Sequence, residues 1–340
     1  MALTVVSIVM PVRNAAATLH ECIGSIQRQQ FTDYEVIVID DGSSDDSARQ
    51  LRQWAAGDAR VRPVSQASLG IVAALNKGLQ LARGRYVARM DADDVMHPAR
   101  LQEQVTYLER HPQVALLATQ VELFPARQIQ AGYAEYVRWQ NRCLSHHDIA
   151  DEMYVESPLA HPSVMFRREA IAALGGYREG DFPEDYDLWL RMLQHQYRMA
   201  KLPRALLHWR ESTSRTSRVD PRYSRESFDR LRAAYLARDP RINNGRALVY
   251  WGAGRKTRKR SALLINKGLP PRAWIDIDAR KIGNRVAGAR VEAPEWLAGF
   301  TAENKPFVLS YVTNHGAREL IARQLMGMGY QRGQDYLMVG

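Results

Sequence analysis

Apolar residues along the chain come in short runs that switch between two periodicities. Residues 5–12 are continuously apolar and rich in β-branched side chains, as in a strand covered on both faces. Leu19, Cys22, Ile23 and Ile26 then recur at helical spacing within residues 16–29. Residues 34–39 predict a second buried strand. It is closed by the turn Asp40-Asp41-Gly42-Ser43-Ser44-Asp45, in which Ser43 or Ser44 is placed to cap a helix reaching about residue 56. A short strand at 61–64, a helix at 71–82 ended by Gly84, a strand at 86–90 and a helix at 98–110 with proline at its start complete the series. Such alternation predicts an α/β fold with a mostly parallel sheet and helices on both faces.

The pattern weakens between residues 120 and 240, where a strand at 164–166, a helix at 186–195 and helical spacing over 224–237 stand out from a polar, Arg-rich background. Residues 239–245 combine Asp, Pro, Asn and Gly and read as a linker, dividing the chain into 1–240 and 246–340. A new α/β pattern follows: a strand at 248–251 running into Gly252-Ala253-Gly254, a helix to 267, strands at 273–277 and 307–311, and a helix at 317–328. This predicts a second, small, Rossmann-like domain.

Composition adds bounds. The chain has 340 residues, 46% of them apolar and 25% charged, which is ordinary for a soluble globular protein. No apolar run approaches the roughly 18–20 residues that span a bilayer. The apolar start lacks a basic n-region and a cleavage site, so it reads as a first strand rather than a signal peptide. Cys22 and Cys143 show no metal or disulfide spacing and read as ordinary thiols of a reducing compartment. The net charge of +10 is uneven: residues 241–340 hold 17 Lys+Arg against 7 Asp+Glu, while residues 1–240 hold 30 of each sign. A basic face suits phosphate or an anionic membrane. The expectation is a cytoplasmic protein with room for peripheral contact at the inner face of the membrane and no nucleic-acid partner.

In parallel sheets of this kind ligands bind beyond the carboxyl ends of the strands. Three of the predicted ends carry polar clusters, Arg13-Asn14, Asp40-Asp41 and Asp91 to Asp94, so all three should meet at one edge. Asp91, Asp93 and Asp94 crowd three carboxylates into four residues, an arrangement whose repulsion calls for a cation or ordered donors. Hard oxygen ligands suit Mg²⁺ or Mn²⁺. A carboxylate at Asp40-Asp41 is able to accept a hydrogen bond from a nucleobase N–H. Glu184-Asp185 leads a helix, where the dipole favours acids; a general base there has to come within hydrogen-bond reach of the group whose proton it takes.

These residues together resemble family 2 glycosyltransferases with the A-type nucleotide-sugar fold. Val6 to Asn14 is similar to the opening of that family, and Phe31 to Ser44 to its second strand and turn. Gly70, Asn76, Gly78, Ala82 and Gly84 lead into 86–94 as the family does before its metal motif, and Pro183 to Arg191 is similar to its Glu-Asp segment. The resemblance covers about residues 4–240. It implies that Pro11, Arg13 and Asp41 lie around the base and ribose of a nucleotide-sugar, a UDP-sugar first among donors. It also implies that Asp91 faces the nucleoside and that Asp93 ligates the divalent metal. Asp185 is then the base that deprotonates the acceptor hydroxyl of a glycan or lipid-linked glycan, in a displacement with inversion, with Asp187 as a rival for the role. His161, in Ala160-His161-Pro162-Ser163-Val164, is placed either at the acceptor site with Glu184 or in packing. His208-Trp209-Arg210-Glu211, followed by Ser212-Thr213-Ser214, resembles the segment that closes over donor phosphates, which puts His208 in the metal shell and Arg210 on a phosphate.

The C-terminal glycine turn begins like a dinucleotide fingerprint, G-x-G-x-x-G, with Thr257 where the third glycine belongs. Gly252, Gly254 and Arg255 at the start of a helix suit an anion, and Asp276 falls where a ribose-binding acid sits. Three rival functions remain in view: a non-catalytic nucleotide-sugar binder, a metal-dependent nucleotidyltransferase and an NAD-dependent enzyme. The intact acids argue against the first. The second expects a glycine-rich basic loop after the first strand, where Arg13-Asn14-Ala15-Ala16-Ala17 has no glycine. The short second domain and Thr257 argue against the third.

Overall fold

The computed structural model describes residues 4–212, 215–314 and 316–340. Thr213 and Ser214 of the expected closing segment therefore lie outside the described residues. The chain divides into two compact units, one running up to Ile149 and resuming over Pro158–Arg222, the other formed by Ala150–Ser157 with Tyr223–Gly340. The second unit thus includes residues 223–240 and the short segment 150–157, both inside the 1–240 region outlined from sequence.

In chain order the first unit begins with β1 (Val6–Val12), α1 (Leu19–Gln27), β2 (Tyr34–Asp41), α2 (Ser47–Gly57), β3 (Val61–Gln66), α3 (Ile71–Leu81) and β4 (Tyr86–Arg89). It continues through β5 (Val95–Met96), α4 (Arg100–Arg110), β6 (Val114–Phe124), α5 (Ala131–Arg142), α6 (His146–Glu152), β7 (Met165–Arg167), α7 (Arg168–Ala173), α8 (Glu184–Gln194), β8 (Arg198–Arg210) and α9 (Thr216–Val219). Its sheet has the order β3-β2-β1-β4-β7-β6-β8-β5. The first four strands are parallel, with β1 and β2 buried along their whole length as central parallel strands are, and the rest are mixed: β7 is antiparallel to β4 and β6, β8 is parallel to β6, and β5 is antiparallel to β8.

Every residue of β1 is buried. Val6, Ile8, Met10 and Val12 form one core with Leu19, Cys22 and Ile26 of α1, Trp54 of α2, and Leu101, Val105 and Leu108 of α4. The opposite face takes α3, where a Cβ on Gly78 would lie 2.3 Å from Val9. Three strands of this unit escape the periodicity reading, β5, β6 and β8. In β8 the register against β6 jumps from Leu202 opposite Thr119 to Ala205 opposite Gln120, so Pro203 and Arg204 bulge out of the ladder. A proline with no N–H to donate fits a bulge and breaks the strand pattern in sequence.

The amino edge of the sheet is tied by a buried polar knot. Ser7 Oγ donates to Glu35 (2.8 Å) and accepts from the Gly84 N–H (2.8 Å), while Arg83 pairs with Glu35 at 2.8 Å. A Cβ on Gly84 would sit 2.5 Å from the Ser7 backbone nitrogen, so β1 and the turn before β4 approach too closely for any side chain.

The second unit holds α10 (Arg225–Leu236), β9 (Leu248–Trp251), α11 (Arg255–Ile265), β10 (Ala273–Ile275), β11 (Arg285–Val286), β12 (Ala289–Glu292), β13 (Phe307–Ser310), α12 (Ala317–Gly327) and β14 (Tyr336–Met338). Its sheet runs β11-β12-β10-β9-β13-β14 and is parallel except for the β11–β12 hairpin. The order reverses on the two sides of β9, which is the doubly wound, Rossmann-like arrangement expected from the sequence. Cys22 and Cys143, both in the first unit, are buried thiols.

Gly84→Ala is expected to destabilise the protein by about 1–3 kcal/mol through overpacking. Gly57→Ala, where an added Cβ meets nothing within 4 Å, is expected to stay within about 0.5 kcal/mol. Urea midpoints at unchanged m-value measure both.

Candidate functional site

The parallel pairing of β1 with β2 and β4 delivers the three polar strand ends to one edge. Asn14, with φ 51°, and the turn after β2 are knitted together: Asn14 N–H donates to Ser43 Oγ (3.0 Å), Ser44 N–H to Asn14 Oδ1 (2.8 Å), and Ala16 N–H to Asp45 (3.0 Å). Ser43 and Ser44 thus fasten two loops rather than cap α2, whose N-cap is Asp46. Pro11 is buried in β1 opposite Ile39, and Arg13 is exposed just beyond the strand.

Asp41 is buried and binds its own chain. Oδ1 accepts from Leu69 N–H (2.8 Å) and Gln66 Nε2 (2.7 Å), and Oδ2 from Gly70 N–H (2.9 Å). Three of about four acceptor positions are therefore used in ordering the 66–70 loop. Gly42 in that turn has φ +71°, and a Cβ there would lie 2.9 Å from the Ser68 nitrogen.

After β4 the chain turns through the acids. Oxygen atoms of Asp91, Asp93 and Asp94 all fall within 4.8 Å of one another. The turn is pinned from α1's side: Cys22 Sγ donates to the Asp91 carbonyl (3.4 Å) and Thr18 Oγ1 to that of Ala92 (3.3 Å). Asp91 pairs with the buried Arg89. Burial, then the neighbouring Asp91, pushes the Asp93 carboxyl up to about 6. Burial, then Asp93 and Asp91, pushes Asp94 well above the usual range. Asp94 Oδ1 accepts the Arg210 backbone N–H (2.7 Å), and its Oδ2 is buried with no hydrogen-bond partner. An orphaned buried oxygen beside two other carboxylates fits a divalent cation, the hard ion for which an oxygen-only donor set is suited. Asp94 was legible in sequence as part of the acidic run, but its inward direction was not.

Pairing of β5 with β8, Val95 opposite His208, lays the end of β8 against this turn. Arg210 Nε donates to the Asp93 carbonyl (2.6 Å) and its Nη2 pairs with Glu21, so its guanidinium is held within the protein rather than held out toward a phosphate. His208 stands opposite Glu122 in the β6 register, its Nδ1 3.7 Å from Glu122, and it is not among the residues whose ligand atoms converge with Asp93. The cation that sequence reasoning missed is Arg215. It lies over the Trp209 ring at 4.3 Å, donates to Tyr133 Oη at 2.9 Å, and lowers the Asp93 and Asp94 carboxyls. It comes from an Arg-rich stretch where no pattern distinguishes one arginine from the next.

Asp185 sits in the first turn of α8 and accepts from the Tyr186 N–H (2.7 Å). Burial, then the adjacent Glu184, raises its carboxyl to about 7. Its rival is committed elsewhere: Asp187 is buried in an ion pair with Arg191 (2.8 Å), and Arg191 also donates to the carbonyls of Leu174 and Gly176. Glu184 is buried 4.0 Å from His161 Nδ1, and His161 Nε2 hydrogen-bonds Tyr177 Oη (2.7 Å). Burial, then Arg89, holds the His161 pKa well below its usual value. His161 therefore packs as a neutral ring, and Glu184 faces it. Asn76 secures the same region, exchanging two 2.9 Å hydrogen bonds with the Tyr177 backbone.

In the second unit the expected residues do come together at the carboxyl ends of β9 and β10. Gly252 has φ +108° and lies against Thr257, whose Cγ2 would be 2.9 Å from an added Cβ. Asp276 turns inward, accepting from Ala253 N–H (2.9 Å), Asp278 N–H (3.0 Å) and Lys281 (3.0 Å). Burial opposes its charge, but these donors outweigh it and hold the carboxyl low. Gly254 is the N-cap of α11, with Arg255 exposed in its first turn.

A family model described as glycosyl transferase family 2 matches residues 7–175. The chain is 31% identical over 190 residues to the amylovoran biosynthesis glycosyltransferase AmsE of Erwinia amylovora, covering 56% of this chain and 69% of that protein. Among solved structures, S. aureus TarS in complex with UDP superposes with a TM-score of 0.53 at 16% identity, over 77% of this chain and 70% of that one. The mannosyltransferase PcManGT from Pyrobaculum calidifontis, in complex with GDP-Man and Mn²⁺, gives 0.50 at 20% identity over 78% and 68%. At these identities the structural matches establish the fold.

A carboxyl raised to about 7 binds its proton more tightly in the folded chain than in the unfolded one. Folding stability is therefore expected to fall as pH rises from about 4 to about 7 on this group's account. Asp185→Asn removes that loss, so the variant's denaturation midpoint should exceed the parent's at pH 8 and approach it at pH 4.5. A constant difference across that range would contradict the assignment.

Proposed function

The chain belongs to the family 2 glycosyltransferases, and from that premise we propose that it moves a sugar from a nucleotide-sugar to an acceptor hydroxyl by a single displacement with inversion. The observation that most supports this reading is Asp185, a carboxylate held near neutrality at the head of α8 while its neighbour Asp187 is locked to Arg191. A base with that affinity takes a hydroxyl proton near pH 7 without being saturated by solvent protons. The acceptor oxygen bonds to the anomeric carbon, the bond from that carbon to the diphosphate oxygen breaks, the nucleoside diphosphate departs with the electron pair, and the acceptor proton passes to Asp185.

The donor would lie across the carboxyl ends of β1, β2 and β4. Pro11, Arg13 and the Asp41-ordered loop 66–70 frame the nucleoside, with Asp91 beside them. Asp93, with Asp94 Oδ2 behind it, is the ligand set for Mn²⁺ or Mg²⁺, which when bound neutralises charge on the departing diphosphate. Arg215 adds a fixed positive charge beside the same acids. UDP-sugars are the first donors to test, and a glycan or lipid-linked glycan the acceptor class, in cell-surface polysaccharide or glycolipid synthesis. No helix among the described residues is long and apolar enough to cross a membrane; peripheral contact at the inner membrane face belongs to this proposal.

Asp185→Asn is expected to keep nucleoside-diphosphate affinity while transfer falls by about 10²–10⁴-fold. The parent's rate should rise with pH through about 7, as the carboxyl loses its proton. Retained turnover in the variant would remove Asp185 from the base role. Asp93→Ala is expected to weaken nucleoside-diphosphate binding in the presence of Mn²⁺ by at least about tenfold in calorimetry, given charge-assisted contacts of about 1.5–3 kcal/mol.

A further inference from the structure

On the edge of the first unit's sheet away from the acids lies a second cavity, of about 360 Å³, lined by Arg83, Arg85, Arg167, Arg168 and Glu169. It opens where β4 begins at Tyr86 and the antiparallel β7 ends at Arg167. Four of five lining residues are arginines, and only one of the four is neutralised: Arg83 pairs with Glu35. Among the described residues no carboxylate lies at ion-pair distance from Arg85, Arg167 or Arg168.

Arg167 is the built part of the site. It is buried at 8% exposure, and Nε and Nη2 are fixed on the carbonyls of Val114 (2.9 Å) and Leu108 (2.6 Å). Those bonds hold the guanidinium plane still and leave Nη1 without a partner among the described residues. Arg168 is oriented by one bond, Nε to the Gly84 carbonyl (2.9 Å). Arg85 lies over the Tyr86 ring at 5.0 Å and Arg167 at 5.5 Å, which gathers the two guanidiniums about one ring.

We propose that this cavity is an anion site for a small di- or polyphosphate, separate from donor binding. Three uncompensated guanidiniums, one of them rigid and buried, match a ligand carrying two or more negative charges. Planar forks of N–H donors are the geometry that phosphate oxygens accept. The volume lies at the lower end of small-molecule sites, about 300–1,000 Å³, which is larger than one phosphate needs. The lining offers no exposed aromatic face on which a nucleobase stacks, so the diphosphate group is the recognised part.

The test is calorimetric titration of the full chain with inorganic pyrophosphate in EDTA, on the Asp93→Ala background, so that the acidic site is disabled. UDP is titrated in parallel. Saturable binding of either is expected, weakened at least tenfold in Arg85→Ala/Arg168→Ala, two exposed positions whose change, made alone in the chain with Asp93 intact, should leave the melting temperature and basal donor turnover as they were. Equal affinities for pyrophosphate and UDP, both weakened in the double variant, would identify the free diphosphate group as sufficient and support the site; binding of UDP without binding of pyrophosphate would overturn it. Unchanged affinity in the double variant would overturn the proposal. So would equal heats from sulfate at matched ionic strength, or no saturation by about 1 mM, the weakest affinity that registers as a site.

Discussion

Three carboxylates with oxygens inside 4.8 Å of one another repel, and much of the first unit is arranged around holding them there. The sheet order sets β4 beside β1, so Thr18 and Cys22, which follow β1 in the chain, reach the carbonyls of the acid turn. The β5–β8 pairing brings the Arg210 backbone N–H to Asp94 and its guanidinium to the Asp93 carbonyl. Arg89 faces Asp91, and Arg215 leans in from above Trp209. Backbone clamps fix positions, whereas the arginines reduce the field. Burial, and what remains of the repulsion, is expressed as proton affinity, raised to about 6 in Asp93 and raised in Asp94 as well.

The same competition decides Asp185, with a different winner. A helix N-terminus favours the charged carboxylate by about 0.3–1 kcal/mol. Raising the group from 3.8 to about 7 corresponds to about 4 kcal/mol in the other direction. Even discounted by half for a partly open position, burial and Glu184 outweigh the dipole. Asp187, two residues on, is paired with Arg191 within the core. Two aspartates separated by one residue thus differ: Asp185 holds its proton more tightly, as the base role proposed for it requires, while Asp187 is a structural ion pair whose partner ties α8 to the loop at Leu174 and Gly176.

In the second unit the glycine turn keeps its backbone geometry but spends its donors internally. Asp276 takes the Ala253 N–H, and Thr257 fills the space against Gly252. The exposed cations at the head of α11 remain outward, so its fingerprint survives as a fold device more than as a ready cradle for pyrophosphate. In the first unit the uncompensated positive charge lies elsewhere, in the arginine-lined cavity behind β4 and β7.

Continuous β-branched runs at β1 and β2, helical spacing in α1, α3 and α4, and Asp-rich strand ends made the parallel half of the sheet and its active edge legible from the sequence. Those features depend on local periodicity and on the rule that parallel strands share a carboxyl edge. Strand β8 was not legible, because Pro203 and Arg204 interrupt the alternation that a bulge then absorbs. Nor did spacing separate Asp185 from Asp187, Arg210 from Arg215, or His208 from Asp94, since each choice turns on where a side chain points after distant strands pair. The amino-acid sequence by itself determined which acids exist and which edge they share. Only the tertiary structure decided which are buried, which are compensated and which stay available for chemistry, because desolvation and ion pairing are properties of neighbours that lie far apart in the chain.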